Sequence, residues 1–343
     1  MSQTTPTLLG LVLLSCSTSS HAYTLRPSIN NLQAATTSRS TQACMSDVTV
    51  MMNGLPGAMG LEIAAACLRR EGVALAPFAL TGPGCAGEVD VDDGSGGGKM
   101  TVQLYEPSDM ETVAARAKEA YPEAGSLVCI DFTHPSAVNG NAEWYAANLL
   151  PFVMGTTGGD RDALMEVTKG SGGYAVIAPN MAKQIVALQA ALEVMAKDFP
   201  GSFDGYKLSV VESHQSTKAD TSGTAKAVST SLAALSNEPE FTKDDFVNIV
   251  RVRDVDEQLA GGGMTHTGVS PVPEDALKGH AFHTYALTSG DGQVEFQFRH
   301  NVCGRSTYAE GSVDAACFLA SRIKAASEQK VYDMVDVLKL GGI

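Results

Sequence analysis

The sequence predicts an α/β protein with a Rossmann-like, doubly wound parallel sheet domain and a second α+β domain with an open mixed or antiparallel sheet. Between residues 46 and 180, short apolar segments alternate with helical segments, which is the pattern of a parallel sheet covered by helices. After Asn180 a long helical segment is followed mainly by strand-like segments, as in an antiparallel-rich domain. The chain of 343 residues is long enough for both cores.

The first domain begins with a strand over residues 48–52, a glycine-rich turn and a helix over 61–70. A second strand is predicted over 73–80, and the Gly- and Asp-rich residues 82–98 predict an exposed loop. Further helices are predicted over 110–121, 137–148 and 162–168, and further strands over 127–132, 151–155 and 174–178.

The second domain begins with a long helix over residues 182–199. A strand over 206–211, a polar loop and a helix over 225–235 follow, and strands are predicted over 246–255, 280–288 and 294–302. A helix over 311–326 and a segment over 331–340 end the chain.

Residues 1–45 differ in kind, because the first 46 residues contain no Asp or Glu. The apolar run 8–14 is too short to cross a bilayer, and residues 20–22 offer a small-residue cleavage site. The following residues are rich in Ser, Thr, Asn and Gln, which is typical of a transit peptide. We therefore expect a cleaved or disordered leader, similar to the two-part signal and transit leaders of some algal plastid proteins; an extension without an address is the alternative.

The composition excludes several function classes. A net charge of −14 argues against a nucleic-acid partner or an anionic membrane surface. The seven cysteines are scattered without a Cys-x-x-Cys pair, so we expect reduced thiols and no metal site.

The turn after the first strand has the spacing Gly-x-x-Gly-x-x-Gly. A strand, a glycine turn and a helix in this order typify dinucleotide binding, because the helix N-terminus can receive a pyrophosphate. An ordinary βα turn is the alternative. The cofactor-binding residues predicted here are Gly54, Gly57, Ala58, Met59 and Gly60.

Three other segments follow predicted parallel strands, whose carboxyl ends form the ligand-binding edge of a doubly wound sheet. We expect them to line one cleft with the glycine turn. The additional cofactor-binding residues are Phe132, Thr133, Gly155, Thr156, Thr157, Ala178, Pro179, Asn180 and Met181.

Residues 212–225 combine groups suited to acid–base chemistry and to anion binding. His214 and Lys218 can transfer protons or hold an anion. A helix that starts near Gly223 and Thr224 presents free backbone N–H groups to a carboxylate. The alternative without a functional role is an ordinary capped helix after a polar loop.

These motifs together resemble the dihydrodipicolinate (4-hydroxy-tetrahydrodipicolinate) reductase family, and its plant-type branch in particular. The resemblance runs from about residue 46 to the C-terminus and rests on residues 53–60, 131–133, 150–161, 178–181, 212–225, 280–283 and 300–311. It implies NAD(P)H-dependent reduction of 4-hydroxy-tetrahydrodipicolinate to tetrahydrodipicolinate, in lysine biosynthesis through diaminopimelate. It also implies use of NADPH, with NADH possible, although Ala58 stands where many bacterial members carry a basic residue.

The resemblance also assigns roles to residues. His214 matches the catalytic histidine, and Lys218 matches the lysine that donates a proton. The residues implied in substrate binding are Thr156, Gln215, Lys218, Gly223 and Thr224. Bacterial members often have His and Arg where this chain has Gln215 and Ser216, so contacts in this loop differ in detail. Three further histidines on predicted strands are interpreted as structural: His280, His283 and His300.

By the same resemblance the C-terminal segment returns to the first domain. Residues 46–180 and 304–343 then form the dinucleotide-binding domain, and residues 181–303 form the substrate-binding and oligomerisation domain. A hinge is predicted at Asn180–Met181, because these residues fall between a strand and a long helix. The expected form is a homodimer rather than a tetramer, in the plastid stroma, acting on a small dicarboxylate. Two alternatives stay open, namely another two-domain amino- or keto-acid dehydrogenase and a non-catalytic cofactor-sensing protein.

Overall fold

The computed structural model describes residues 48–264 and 267–341. The leader predicted for residues 1–45 lies outside them. The elements up to residue 177 are β1 Val48–Asn53, α1 Ala58–Arg69, β2 Val73–Leu75, β3 Phe78–Leu80, β4 Gly87–Asp92, β5 Lys99–Tyr105, α2 Met110–Ala120, β6 Leu127–Asp131, α3 Val138–Asn148, β7 Phe152–Met154, α4 Arg161–Ser171 and β8 Ala175–Ile177. The later elements are α5 Lys183–Asp198, β9 Tyr206–His214, α6 Gly223–Leu235, β10 Val250–Val252, α7 Val255–Ala260, β11 His280–Ser289, β12 Glu295–Cys303, α8 Ser306–Lys324, β13 Val331–Tyr332 and α9 Met334–Gly341.

The first sheet has six parallel strands in the order β13-β8-β7-β6-β1-β2. Its central strands are almost entirely buried, because helices cover the sheet and leave little room for polar side chains. The predicted Rossmann-like domain is therefore confirmed.

The prediction of a single strand over residues 73–80 was wrong, because this segment forms the two strands β2 and β3. Ala76 donates its N–H to Val50 (2.8 Å), and Pro77, which has no N–H to donate, then separates β2 from β3. Strand β3 joins a separate three-stranded sheet in the order β3-β5-β4. The exposed loop predicted over 82–98 was also wrong in part, since it contains β4, in which Val91 packs into the core.

The second main sheet is mixed, with the order β10-β9-β11-β12. Strand β11 runs antiparallel to both β9 and β12, and β10 is parallel to β9. Helices α5 and α6 pack against it through buried side chains that include Leu192, Val228 and Leu232. The predicted α+β domain is confirmed, but the strand predicted over 246–255 is reduced to β10.

The C-terminal segment packs against the first sheet. Strand β13 pairs with β8, and α8 lies against α1. On α8 the buried Asp314 pairs with Arg70 (2.8 Å) and Lys183 (2.5 Å), so one carboxylate joins the end of α1 and the start of α5 to the middle of α8. Within the described part of the chain, no helix combines the length and the apolar character needed to cross a membrane.

Candidate active site

The glycine turn is built as a helix N-terminus that is open to a ligand. Gly57 donates its N–H to Gly54 (2.9 Å), and the first bond of α1 runs from Leu61 to Gly57 (2.9 Å). The N–H groups of Ala58, Met59 and Gly60 precede that bond, so they are available to a phosphate oxygen.

Gly54 is required by its backbone. Its φ is 107°, and a Cβ atom would lie 2.3 Å from the carbonyl oxygen of Phe132. The turn therefore packs directly on the end of β6, which places the α1 N-terminus beside Phe132 and Thr133.

A cavity of about 600 Å³ adjoins this turn. It lies between the end of β1, the end of β3 and the residues after β6. Its lining residues are Gly54, Leu55, Pro56, Gly57, Leu80, Thr81, Gly82, Pro83, Cys85, Pro107, Met110, Phe132, Thr133, His134, Ser136, Ala137 and Asn141. None of these carries a carboxylate, so the described lining offers no acid to bond a ribose diol.

Asp131 organises this edge of the sheet, and sequence reasoning missed that role. Its fully buried carboxylate accepts hydrogen bonds from the hydroxyls of Thr133 (2.8 Å), Tyr145 (2.8 Å) and Thr156 (3.1 Å). Asn53 in turn donates to the Tyr145 hydroxyl (2.7 Å). One carboxylate thus links the ends of β1, β6 and β7. An acid at the end of an apolar strand is the sequence signal that could have found it.

The other predicted cofactor residues lie at the same edge. A Cβ atom on Gly155 would lie 2.1 Å from the Phe132 ring, so the ring covers the end of β7. The residues that follow this glycine differ in exposure, because Thr156 is half-buried and Thr157 is exposed. After β8, Pro179 is exposed and Asn180 half-buried. The side chains of Ala178 and Met181 are buried, so only their backbones could reach a cofactor.

The second predicted site forms where β9 ends and α6 begins. His214 is the last residue of β9, on the strand rather than in the loop, and Gln215 follows it. At the start of α6, Lys226 donates its N–H to the Ser222 carbonyl (3.0 Å). The N–H groups of Gly223 and Thr224 precede it and are available to an anion.

A buried ion pair holds the loop between these two elements. The Glu212 carboxylate, 0% exposed, accepts from the Arg253 guanidinium on one oxygen and from the Ser222 N–H (3.0 Å) on the other. Arg253 also donates to the backbone carbonyls of Lys218 (2.9 Å) and Asp220 (3.4 Å). Arg253 therefore fastens the loop that carries Lys218 to the strand that carries His214. No motif in the sequence indicated a role for this arginine.

His283 and His300 lie in line with His214. The Nε2 atoms of His214 and His283 are 3.1 Å apart, and His283 Nδ1 lies 3.1 Å from His300 Nε2. Strand register explains this, because His283 is paired with Glu212 on β9 and with His300 on β12. The interpretation of His283 as purely structural missed this contact. His280 lies apart and contacts Ser213 (2.8 Å).

Burial sets the charges of this group. It lowers the pKa of His214 to about 3, and His283 adds to that effect. Burial beside His283 likewise lowers the pKa of His300 to about 3. Burial opposes ionisation of Glu212, but its contacts with His283 and Arg253 outweigh it and lower the pKa to about 2. The histidines are therefore neutral beside an ionised Glu212 at neutral pH.

Two contacts complete the site. The Lys218 ammonium pairs with Asp220 (2.7 Å) and is partly accessible. Asn180 donates to the Thr224 hydroxyl (3.1 Å), so a predicted cofactor residue touches a predicted substrate residue. The segment after β8 and the N-terminus of α6 therefore adjoin.

Two family models cover most of the described chain. Residues 48–181 match the N-terminal part of dihydrodipicolinate reductase, and residues 184–338 match its C-terminal part. The chain belongs to the dihydrodipicolinate reductase family. This confirms the resemblance of the sequence motifs and the assignment as an oxidoreductase, and it decides against a different family of two-domain dehydrogenases.

Named relatives agree with the family models. A probable 4-hydroxy-tetrahydrodipicolinate reductase 2, chloroplastic, from Oryza sativa subsp. japonica is 44% identical over 86% of this chain and 84% of its own length. The 4-hydroxy-tetrahydrodipicolinate reductase 1, chloroplastic, from Arabidopsis thaliana is 45% identical over 86% and 79%. A dipicolinate-bound dihydrodipicolinate reductase from Paenisporosarcina sp. TG-14 shares the fold, with a TM-score of 0.53 and 18% identity over 83% of this chain and 97% of that one.

Proposed function

We propose that this chain reduces 4-hydroxy-tetrahydrodipicolinate to tetrahydrodipicolinate with NAD(P)H, in lysine biosynthesis through diaminopimelate. Family membership supports the reaction class. The observation that carries the assignment is the placement of His214 and Lys218 beside the open N-terminus of α6, next to the Asn180–Thr224 contact. That arrangement offers a proton donor and a carboxylate site at one edge of the cofactor cleft.

The bound nicotinamide supplies the hydride, which adds to C4 of the cyclic substrate after its 4-hydroxyl has left as water. A conjugated imine that accepts a hydride also needs a proton. Lys218 is the donor in this proposal, because its ammonium is partly accessible whereas burial keeps His214 neutral. His214 then orients the substrate through a hydrogen bond, as does Gln215. Gly223 and Thr224 hold one carboxylate through their N–H groups, and Thr156 lies against the reacting ring.

The cofactor is held by the open N-terminus of α1 and by the cavity beside it. NADPH is the preferred form in this proposal, with NADH possible. The support is the cavity lining, in which the described residues contribute no carboxylate to bond a ribose diol or to repel a 2′-phosphate. Binding titrations with both nucleotides test the preference, and tighter binding of NADH would contradict it.

We also propose a plastid stromal location, as the chloroplastic names of the plant relatives suggest, and a homodimer. A reporter fused to residues 1–45 tests the address, since a cytosolic signal would exclude it. Sedimentation analysis tests the assembly, and a tetramer would count against the dimer.

The central test is Lys218→Ala in an NADPH oxidation assay coupled to the upstream synthase. Loss of a general acid lowers kcat by about 10²–10⁴-fold. NADPH affinity, measured by fluorescence titration, should stay unchanged because Lys218 is not among the residues that line the cavity beside the glycine turn. Lys226→Ala is the matched control, because this nearby lysine pairs with Asp245 instead. Near-normal turnover of Lys218→Ala would show that the proposed loop is not the active site.

A further inference from the structure

The ligand atoms of Glu212, His214 and His283 all lie within 4.8 Å of one another. The Nε2 atoms of the two histidines are 3.1 Å apart, and Glu212 Oε2 lies 3.9 Å from the first and 3.7 Å from the second. Ligands at the usual zinc distances in a tetrahedral site are about 3.3 Å apart. Small side-chain adjustments would therefore bring all three atoms into one coordination sphere.

We infer that Glu212, His214 and His283 form a binding site for a divalent transition cation, Zn²⁺ foremost, and that its occupation blocks the active site. Two imidazoles and one carboxylate are a donor set of zinc sites that keep a fourth position open to water. This inference adds a ligand that the sequence did not predict, since the scattered cysteines indicated no metal site.

The surroundings of the three ligands suit a metal. A histidine ligand usually donates its other ring N–H to a neighbour, which fixes the ring orientation. His283 has such a neighbour, because its Nδ1 lies 3.1 Å from His300 Nε2. Glu212 is fixed in the same way by Arg253 and by the Ser222 N–H. Glu212 Oε2 still has a lone pair for a cation, since a carboxylate oxygen accepts in two directions.

The cation replaces one proton. In the contact between the two Nε2 atoms, one nitrogen donates a proton and the other accepts it. A zinc ion bound by both Nε2 lone pairs takes the place of that proton, which moves to the Nδ1 atom of the same neutral imidazole, so no net proton is released. Arg253 already neutralises the charge of Glu212, so the affinity should be moderate and the binding reversible. His214 could not then contact substrate, so zinc inhibits the proposed reductase.

Binding is measured on the full chain by calorimetric titration with ZnCl₂ and by the visible spectrum of added Co²⁺. His283→Gln removes one ligand, and we expect the loss of one bound equivalent. The matched control is His280→Gln, because His280 is also buried on β11 but contacts Ser213. It should bind zinc as the unchanged protein does.

His300→Gln is the second variant, and it keeps all three ligands. Loss of such a supporting partner typically weakens metal affinity about 10–100-fold, so this variant decides the matter if His283→Gln does not fold. Absence of zinc binding, or equal binding by the unchanged protein and both His283→Gln and His300→Gln, overturns the site.

The inhibitory part rests on the proposed function and is measured separately. NADPH oxidation should fall at the zinc concentration that saturates binding, and EDTA should restore it. Zinc binding without any reductase activity would remove the proposed function and leave the metal site standing. Full activity of the zinc-saturated enzyme would overturn the inhibition.

Discussion

The loss of Arg253 should lower the free energy of unfolding and also displace the loop that carries Lys218. Replacing it with Met leaves the Glu212 carboxylate, which is 0% exposed, without its cation. Removal of one partner from a buried ion pair costs about 3–5 kcal/mol. The Arg253 side chain is 18% exposed, so water can partly replace it, and we expect about 3 kcal/mol.

The assay is urea unfolding followed by circular dichroism, with two comparison variants. Arg251→Met removes an exposed arginine of β10, two residues before Arg253, which donates to the Ala219 carbonyl (2.7 Å). A single hydrogen bond of that kind is worth about 1 kcal/mol. The double variant Glu212→Gln/Arg253→Met removes both charges together and should regain at least half of the loss, because no buried charge is left unpaired.

The same variants report on the loop. Arg253 contacts the Lys218 and Asp220 carbonyls, so Arg253→Met should lower kcat/KM of the reductase by about 10²-fold through misplacement of Lys218. Arg253→Lys keeps the charge but not the fork of donors, and should recover part of the stability and little of the rate. If Arg253→Met were no less stable than Arg251→Met, the ion pair would not be what holds the loop.

Three further outcomes are expected. Gly155→Ala should weaken NADPH binding and cost about 1–3 kcal/mol, since its Cβ would lie 2.1 Å from the Phe132 ring; unchanged titration and urea midpoints would contradict this. The pKa values of His214 and His300 are about 3 in the folded protein. Below pH 6.5 these two histidines therefore take up protons in the unfolded chain but stay neutral in the folded protein. Stability should therefore fall from pH 6.5 towards pH 3 by about 1.4 kcal/mol per unit for each histidine, and His300→Gln should show a shallower slope in urea midpoints. Cofactor and a dicarboxylate inhibitor together should close the cleft about a hinge at Asn180–Met181; an unchanged radius of gyration in small-angle scattering, with a closed apo cleft in a crystal, would leave a preformed site.

Local patterns in the sequence were sufficient for most strands of the first sheet and for the glycine turn. The apolar run of β1 and the glycines after it lie within a few residues of one another, and their spacing alone indicates a strand, a turn and a helix. His214 and Lys218 also came from one short stretch, through the resemblance of its motif. These features depend on neighbours along the chain, so a sequence displays them directly.

Contacts between distant segments were decided only by the tertiary structure. Strand β3 is not part of the first sheet, because Pro77 ends the pairing of β2 with β1 and β3 pairs with β5 instead. The line from His214 to His283 and His300 depends on the register of three strands, and the Glu212–Arg253 pair depends on β10 lying beside β9. Register and strand order are set by how whole surfaces pack, and a shift of one residue would turn His283 to the other face of the sheet. The sequence by itself therefore determined the fold class and which short motifs are candidates for the site, whereas packing decided which distant side chains lie together there.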